Sequence, residues 1–203
     1  RGMCGWPTDL AGSAARALLP GTAATLVDAA RDGSFLLFDK VDVDDGVWLL
    51  PLKGGQPRNL GPQIRTALIS PDASRILVYE LAASPDGLMR PTIKILPANG
   101  GAAVTSLAVQ DNAAPSVWGA DSSSLTFLDT SDPFWNLSRI RLPNGKPERV
   151  TRFTEGRCTT FEWSPDGTRL DVAISRAQDV INAASDSPIT LLTWNGALLL
   201  AAP

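Results

Sequence analysis

Apolar and polar residues alternate along this chain in short bursts, and the bursts come in pairs. Phe161 and Trp163 alternate with polar Thr160 and Glu162, and Leu170, Val172 and Ile174 alternate beyond Ser164-Pro165-Asp166-Gly167. A period of two is the signature of a half-buried strand. The tetrapeptide between the runs is turn chemistry: proline presets φ, aspartate hydrogen-bonds nearby backbone, and glycine accepts positive φ. The segment predicts a β-hairpin.

The same hairpin recurs upstream with its pattern kept and its letters changed. Aligning Asp166 with Asp121, Asp72 and Asp32 gives steps of 45, 49 and 40 residues. Three residues before these aspartates stand Trp163, Trp118, Ile69 and Ala29, and apolar runs beginning at Leu170, Leu125, Ile76 and Phe35 come after them. The first three repeats carry a second hairpin signal, at Lys53-Gly54-Gly55, Asn99-Gly100-Gly101 and Asn144-Gly145. Two hairpins make four strands, and a period of about 40–50 residues is that of a four-stranded propeller blade. Ser84-Pro85-Asp86-Gly87 is off this period and lacks an alternating strand after it, so it reads as a lengthened turn between the second and third strands of its repeat.

The run Val150-Thr151-Arg152-Phe153-Thr154-Glu155-Gly156-Arg157, continuing through Trp163-Ser164-Pro165-Asp166-Gly167, resembles the TolB-like propeller repeats also called PD40 or WD40-like. Trp118-Gly119-Ala120-Asp121 with Leu142-Pro143-Asn144-Gly145 looks like the preceding blade. The two are similar to propellers attached to bacterial serine/threonine kinases and some winged-helix regulators. The resemblance implies rings of about six blades, and it favours a periplasmic or extracytoplasmic setting. Three positions depart from the pattern. Ala73 and Ser122 replace the turn glycine, and Asp171 stands where a small apolar residue is usual. A buried carboxylate without a partner is costly, so Asp171 is expected to mark an open edge.

The expected fold is all-β, a partial β-propeller of about four four-stranded blades within one domain. Residues 1–21 form a leader or the remnant of a preceding blade, 22–60 blade 1, 61–107 blade 2, 108–152 blade 3, and 153–203 blade 4 with a C-terminal hairpin around Asn195-Gly196. That hairpin completes blade 4 or begins another. A chain starting at Arg1 with at most four blades is expected to be a fragment of a larger ring, whose raw edges invite pairing with other chains.

Composition fits many short strands joined by turns, with 17 glycines and 16 prolines in 203 residues. A net charge of −3 with scattered cations argues against a nucleic-acid partner, and no run reaches membrane-spanning length. There is no histidine, which excludes within these residues a Ser-His-Asp or Cys-His site and any imidazole metal site. No G-x-S-x-G elbow, Walker loop, dinucleotide fingerprint or C-x-x-C pair is present, so neither a catalytic residue, a cofactor nor a metal is expected. Asp39, Asp42, Asp44 and Asp45 crowd one turn but lack EF-hand spacing, and read as a solvated hairpin tip. Cys158 reads as a small buried apolar residue of a first strand, Cys4 lies in the leader, and Trp135 reads as packing across a hairpin.

Asp32, Asp72, Asp121, Ser164, Pro165, Asp166 and Gly167 are therefore structural turn residues. Binding falls to the loops leading into each first strand near the central channel, where Arg65, Asp111, Asn112, Glu155 and Arg157 are the candidate residues. The expected partners are a protein or small ligand at that face and the missing blades. Two functions are consistent with this pattern: a noncatalytic interaction or sensing module of a larger bacterial protein, or the gating propeller of a prolyl-oligopeptidase-like serine hydrolase whose catalytic domain lies outside this chain.

Overall fold

A computed structural model describes residues 18, 23–40, 46–62, 64–83, 87–108, 116–131, 133–175 and 190–194. Strands and turns account for them, and no helix occurs among the described residues. The chain divides into two compact units, Arg1–Ala108 and Val109–Pro203.

The first unit holds two four-stranded antiparallel sheets. Strands β1 (Ala24–Ala29), β2 (Phe35–Lys40), β3 (Val47–Pro51) and β4 (Arg58–Asn59) lie side by side in chain order. So do β5 (Ile64–Ile69), β6 (Arg75–Ala83), β7 (Met89–Pro97) and β8 (Thr105–Ala108). The off-period Ser84-Pro85-Asp86-Gly87 falls between β6 and β7, which are nine residues each and pair along their whole length. Long strands account for the longest repeat interval.

Alternation decides what each sheet buries. Phe35, Leu37, Val47 and Leu49 of the first sheet share one core with Ile64, Ala67, Ile69, Ile76 and Val78 of the second. Each such side chain contributes roughly 1.5–3 kcal/mol on burial. Polar ties register the two sheets: Asp28 Oδ2 accepts from Ile69 N at 2.7 Å, and Arg58 Nη2 donates to Ala98 O at 2.7 Å. On the other face of the first sheet, Ala24, Phe38 and Leu50 form a smaller cluster, against which Leu18 and Trp48 pack.

The second unit repeats the plan. Strands β9 (Ser116–Trp118), β10 (Ser124–Asp129), β11 (Asn136–Arg141) and β12 (Glu148–Arg149) make one sheet, and β13 (Arg157–Trp163), β14 (Leu170–Ser175) and β15 (Thr190–Trp194) the other. Because β15 pairs with β14 from Ile174↔Thr190 to Leu170↔Trp194, the strand before Asn195-Gly196 is the third strand of this sheet. Residues 195–203 lie outside the described residues. Leu128, Leu137, Cys158, Phe161, Leu170 and Val172 form the shared core, and Trp163 Nε1 reaches across it to Thr126 Oγ1 at 2.9 Å.

All four repeat turns have one geometry. Gly33, Ala73, Ser122 and Gly167 each donate their N–H to the carbonyl three residues earlier and have φ of 67°, 57°, 58° and 70°. Losing glycine at Ala73 and Ser122 therefore did not change the turn; those residues sit in the left-handed region, at about 1–2 kcal/mol each. Asp171 is not a buried carboxylate: although β14 is paired on both sides, its side chain is 41% exposed with Arg169 Nη2 at 3.3 Å.

Candidate functional site

Up-and-down order gives every sheet two chemically distinct ends. One end carries the aspartate turns and the second-hairpin turns. The opposite end carries the loop between the second and third strands and the loop leading into the next first strand.

At the turn end each aspartate accepts from donors of its own turn. Asp32 Oδ1 accepts from Ser34 N and Oγ, at 3.0 and 2.6 Å. Asp72 takes the same two donors from Ser74, and Asp121 takes them from Ser123. In the fourth copy Thr168 N and Oγ1 donate to Asp166 Oδ1 at 3.1 and 2.8 Å, and Ser164 Oγ adds a bond at 2.6 Å. Donors to a carboxylate favour its charged form. The Ser164 hydroxyl first, then the Thr168 amide and hydroxyl, hold Asp166 down at about 2. The Ser34 and Ser123 donors likewise lower Asp32 and Asp121. Each of these aspartates is followed two residues on by a hydroxyl (Ser34, Ser74, Ser123, Thr168), a sequence signal that reading for Pro and Gly alone misses.

The opposite end of the second unit holds two of the candidate binding residues. Glu155 lies in the bend before β13 and is exposed, as is Arg157, the first residue of that strand. Arg157 Nε donates to Pro133 O at 3.2 Å, and its guanidinium carbon sits 5.1 Å from the centre of the Trp135 ring. Trp135 itself is half-buried at φ 50° and packs against the shared core. The residue next to it anchors the lead-in loop. Buried Asn136 accepts at Oδ1 from Thr151 Oγ1 (2.9 Å) and Phe153 N (2.6 Å), while its Nδ2 donates to Phe153 O at 3.2 Å. Thr151 Oγ1 in turn accepts from Leu137 N at 2.8 Å.

Of the five candidate binding residues, Glu155 and Arg157 come together at one loop. Arg65 lies in β5, with its side chain outside the described residues, and Asp111 and Asn112 are outside them altogether. The pairing of Arg157 with Trp135 and the Asn136 clamp were not visible in the sequence. Asp42, Asp44 and Asp45 also lie outside the described residues, whereas Asp39 is exposed on β2. Among the described residues there is no cluster of three metal-ligating side chains, and no helix long and apolar enough to cross a membrane. Cys158 is free and buried, and burial pushes its thiol up to about 12, so it stays neutral. Cys4 is outside the described residues.

No family model and no curated protein matches the chain. Solved structures do. TolB from Acinetobacter baumannii is 13% identical with a TM-score of 0.64, over 96% of this chain and 47% of that one. The β-propeller domain of the Trilobed protease from Pyrococcus furiosus is 13% identical with a TM-score of 0.66, over 97% and 62%. The acylaminoacyl peptidase of Pyrococcus horikoshii is 14% identical with a TM-score of 0.66, over 94% and 33%. The fold is that of a TolB-like β-propeller, and the chain spans less than two thirds of each of these structures.

Proposed function

We propose that this chain is a noncatalytic interaction or ligand-sensing propeller module of a larger bacterial protein. It engages its partner at the end of the sheets where the lead-in loops lie. One observation carries this reading: the recurrent aspartates, the residues with the most obvious chemical potential, are each held by donors of their own turn at the other end. Among the described residues exposed at the lead-in end are Arg152, Glu155 and a positioned Arg157. Absence of histidine from all 203 residues leaves no imidazole for acid–base or metal work within the chain. Attachment to a kinase or winged-helix regulator, and the PD40 assignment itself, belong to this proposal.

The peptidase likeness supports a second reading, the gating propeller of a prolyl-oligopeptidase-like serine hydrolase. Reading the coding sequence on both sides of this chain separates the two. A kinase or winged-helix segment upstream supports the module; a downstream G-x-S-x-G with later Asp and His supports the hydrolase. Within the module reading, joint substitution of Arg65, Asp111, Asn112, Glu155 and Arg157 is expected to abolish partner binding. Unchanged affinity would rule out the lead-in end as the binding face.

A further inference from the structure

We infer that Arg157 and Trp135 form a recognition point for a side-chain carboxylate of an extended peptide segment in a partner protein. This rests on the interaction-module reading and names its chemistry.

The guanidinium is held in place on two sides before any ligand arrives. Its Nε is bound to Pro133 O at 3.2 Å, and one face lies over the Trp135 indole at 5.1 Å. Arginine has five N–H donors in a rigid fork, and a carboxylate accepts two of them in parallel. The Nε bond uses one donor, and neither Nη group has a partner among the described residues. Glu155, the nearest acid in sequence, is exposed and makes no ion pair with it. An exposed arginine is ordinarily floppy, and ordering it costs binding energy. Here the backbone carbonyl and the indole have already met that cost, which is what preorganisation means.

The surroundings fit a peptide better than an isolated ion. Trp135, whose ring lies against the fork, is half-buried, as are Phe134 in the same turn and Phe153 in the lead-in loop, so the end that carries the fork also shows apolar surface. Tryptophan and arginine together are the residue types that dominate the energetics of protein interfaces. Beneath them, the Asn136 bonds to Thr151 and Phe153 tie the lead-in loop to β11. The Arg157 fork matches one carboxylate; because Arg152 is also exposed in the lead-in loop and phosphorylated segments are usually taken by clusters of arginines, phosphoserine twins are the arm of the test that separates the two ligands.

The test is selection of random extended peptides on the 203-residue chain, with affinity measurements on the enriched sequences. Enrichment of Asp or Glu beside an aromatic or apolar residue is expected. The amide twin of the acid, and R157Q, should each weaken binding about tenfold or more. R157K, which keeps the charge and loses the fork, should recover only part of it. K146Q, at the opposite end of the sheet, should leave affinity unchanged. Enriched peptides that lack an acid, that ignore R157Q, or that bind tighter as phosphoserine twins would overturn the carboxylate site while leaving the module reading intact. Failure to enrich any peptide would likewise overturn the carboxylate site, while the module reading, which also admits a small ligand, would fall only to the five-residue substitution and the flanking coding sequence.

Discussion

Gly33 and Gly167 occupy the same turn position, yet only one is crowded. A methyl group at Gly33 meets nothing within 4 Å, whereas at Gly167 it would lie 3.0 Å from the Ala120 Cβ. Gly33→Ala should therefore cost about 1 kcal/mol, and Gly167→Ala about 2 kcal/mol, as read by denaturant midpoints. Equal losses would contradict the turn geometry. Asp166 makes a second residue-scale prediction. Its folded value is depressed from 3.8 to about 2, so its contribution to stability is present above pH 4 and is lost as pH falls through 2. NMR titration of the Asp166 carboxyl should show a midpoint near 2, and Thr168→Val should raise it. A midpoint unmoved by that change would remove the Thr168 hydroxyl as a donor, the backbone N–H being kept in the variant. Much of this was legible in the sequence, because a turn is local and its chemistry sits within four residues. Ala73 and Ser122 misled as departures, since the aspartate's grip on the hydroxyl residue two places on fixes the turn whatever fills the left-handed position.

At the scale of strands and loops, two repeats solve one problem in different ways. Leu60 N bonds Val47 O, and Val150 N bonds Leu137 O, which puts Gly46 and Asn136 at equivalent places just before the paired residue. Gly46, at φ 137°, allows the backbone of Gly61 to approach so closely that any Cβ would overlap it. In the other repeat Asn136 fills the gap and bridges it with its amide. Asn136→Ala leaves Phe153 N and Thr151 Oγ1 without that buried acceptor and should cost about 2–4 kcal/mol. It should also increase hydrogen exchange across Thr151–Arg157. A loss under about 1 kcal/mol with unchanged exchange would mean that the clamp does not hold the loop. Hairpins were readable from period-two alternation and their turns. The Arg157–Trp135 contact and the Asn136 bridge were not, because they join positions some twenty residues apart through side chains whose meeting depends on how adjacent sheets pack.

For the whole molecule, periodicity identified the propeller fold without any matching family model, and the partner and attached domains stayed beyond its reach. A scaffold is specified by burial on two faces of each sheet, whereas function resides in a few loop side chains that periodicity does not constrain. Exposed strand surface has its own consequence. Leu26 lies on β1, which among the described residues pairs only with β2, and is 59% exposed. Leu26→Lys should reduce self-association in sedimentation velocity at unchanged melting temperature. Self-association unaffected by the change would show that β1 is not where chains meet. The division of each sheet into an architectural end and a binding end is tested most directly by hydrogen-exchange mass spectrometry with and without a peptide selected on the chain. Protection is predicted over the segments around Pro133–Trp135 and Thr151–Arg157, and not at the Asp32, Asp72, Asp121 and Asp166 turns; protection at those turns instead would contradict that division.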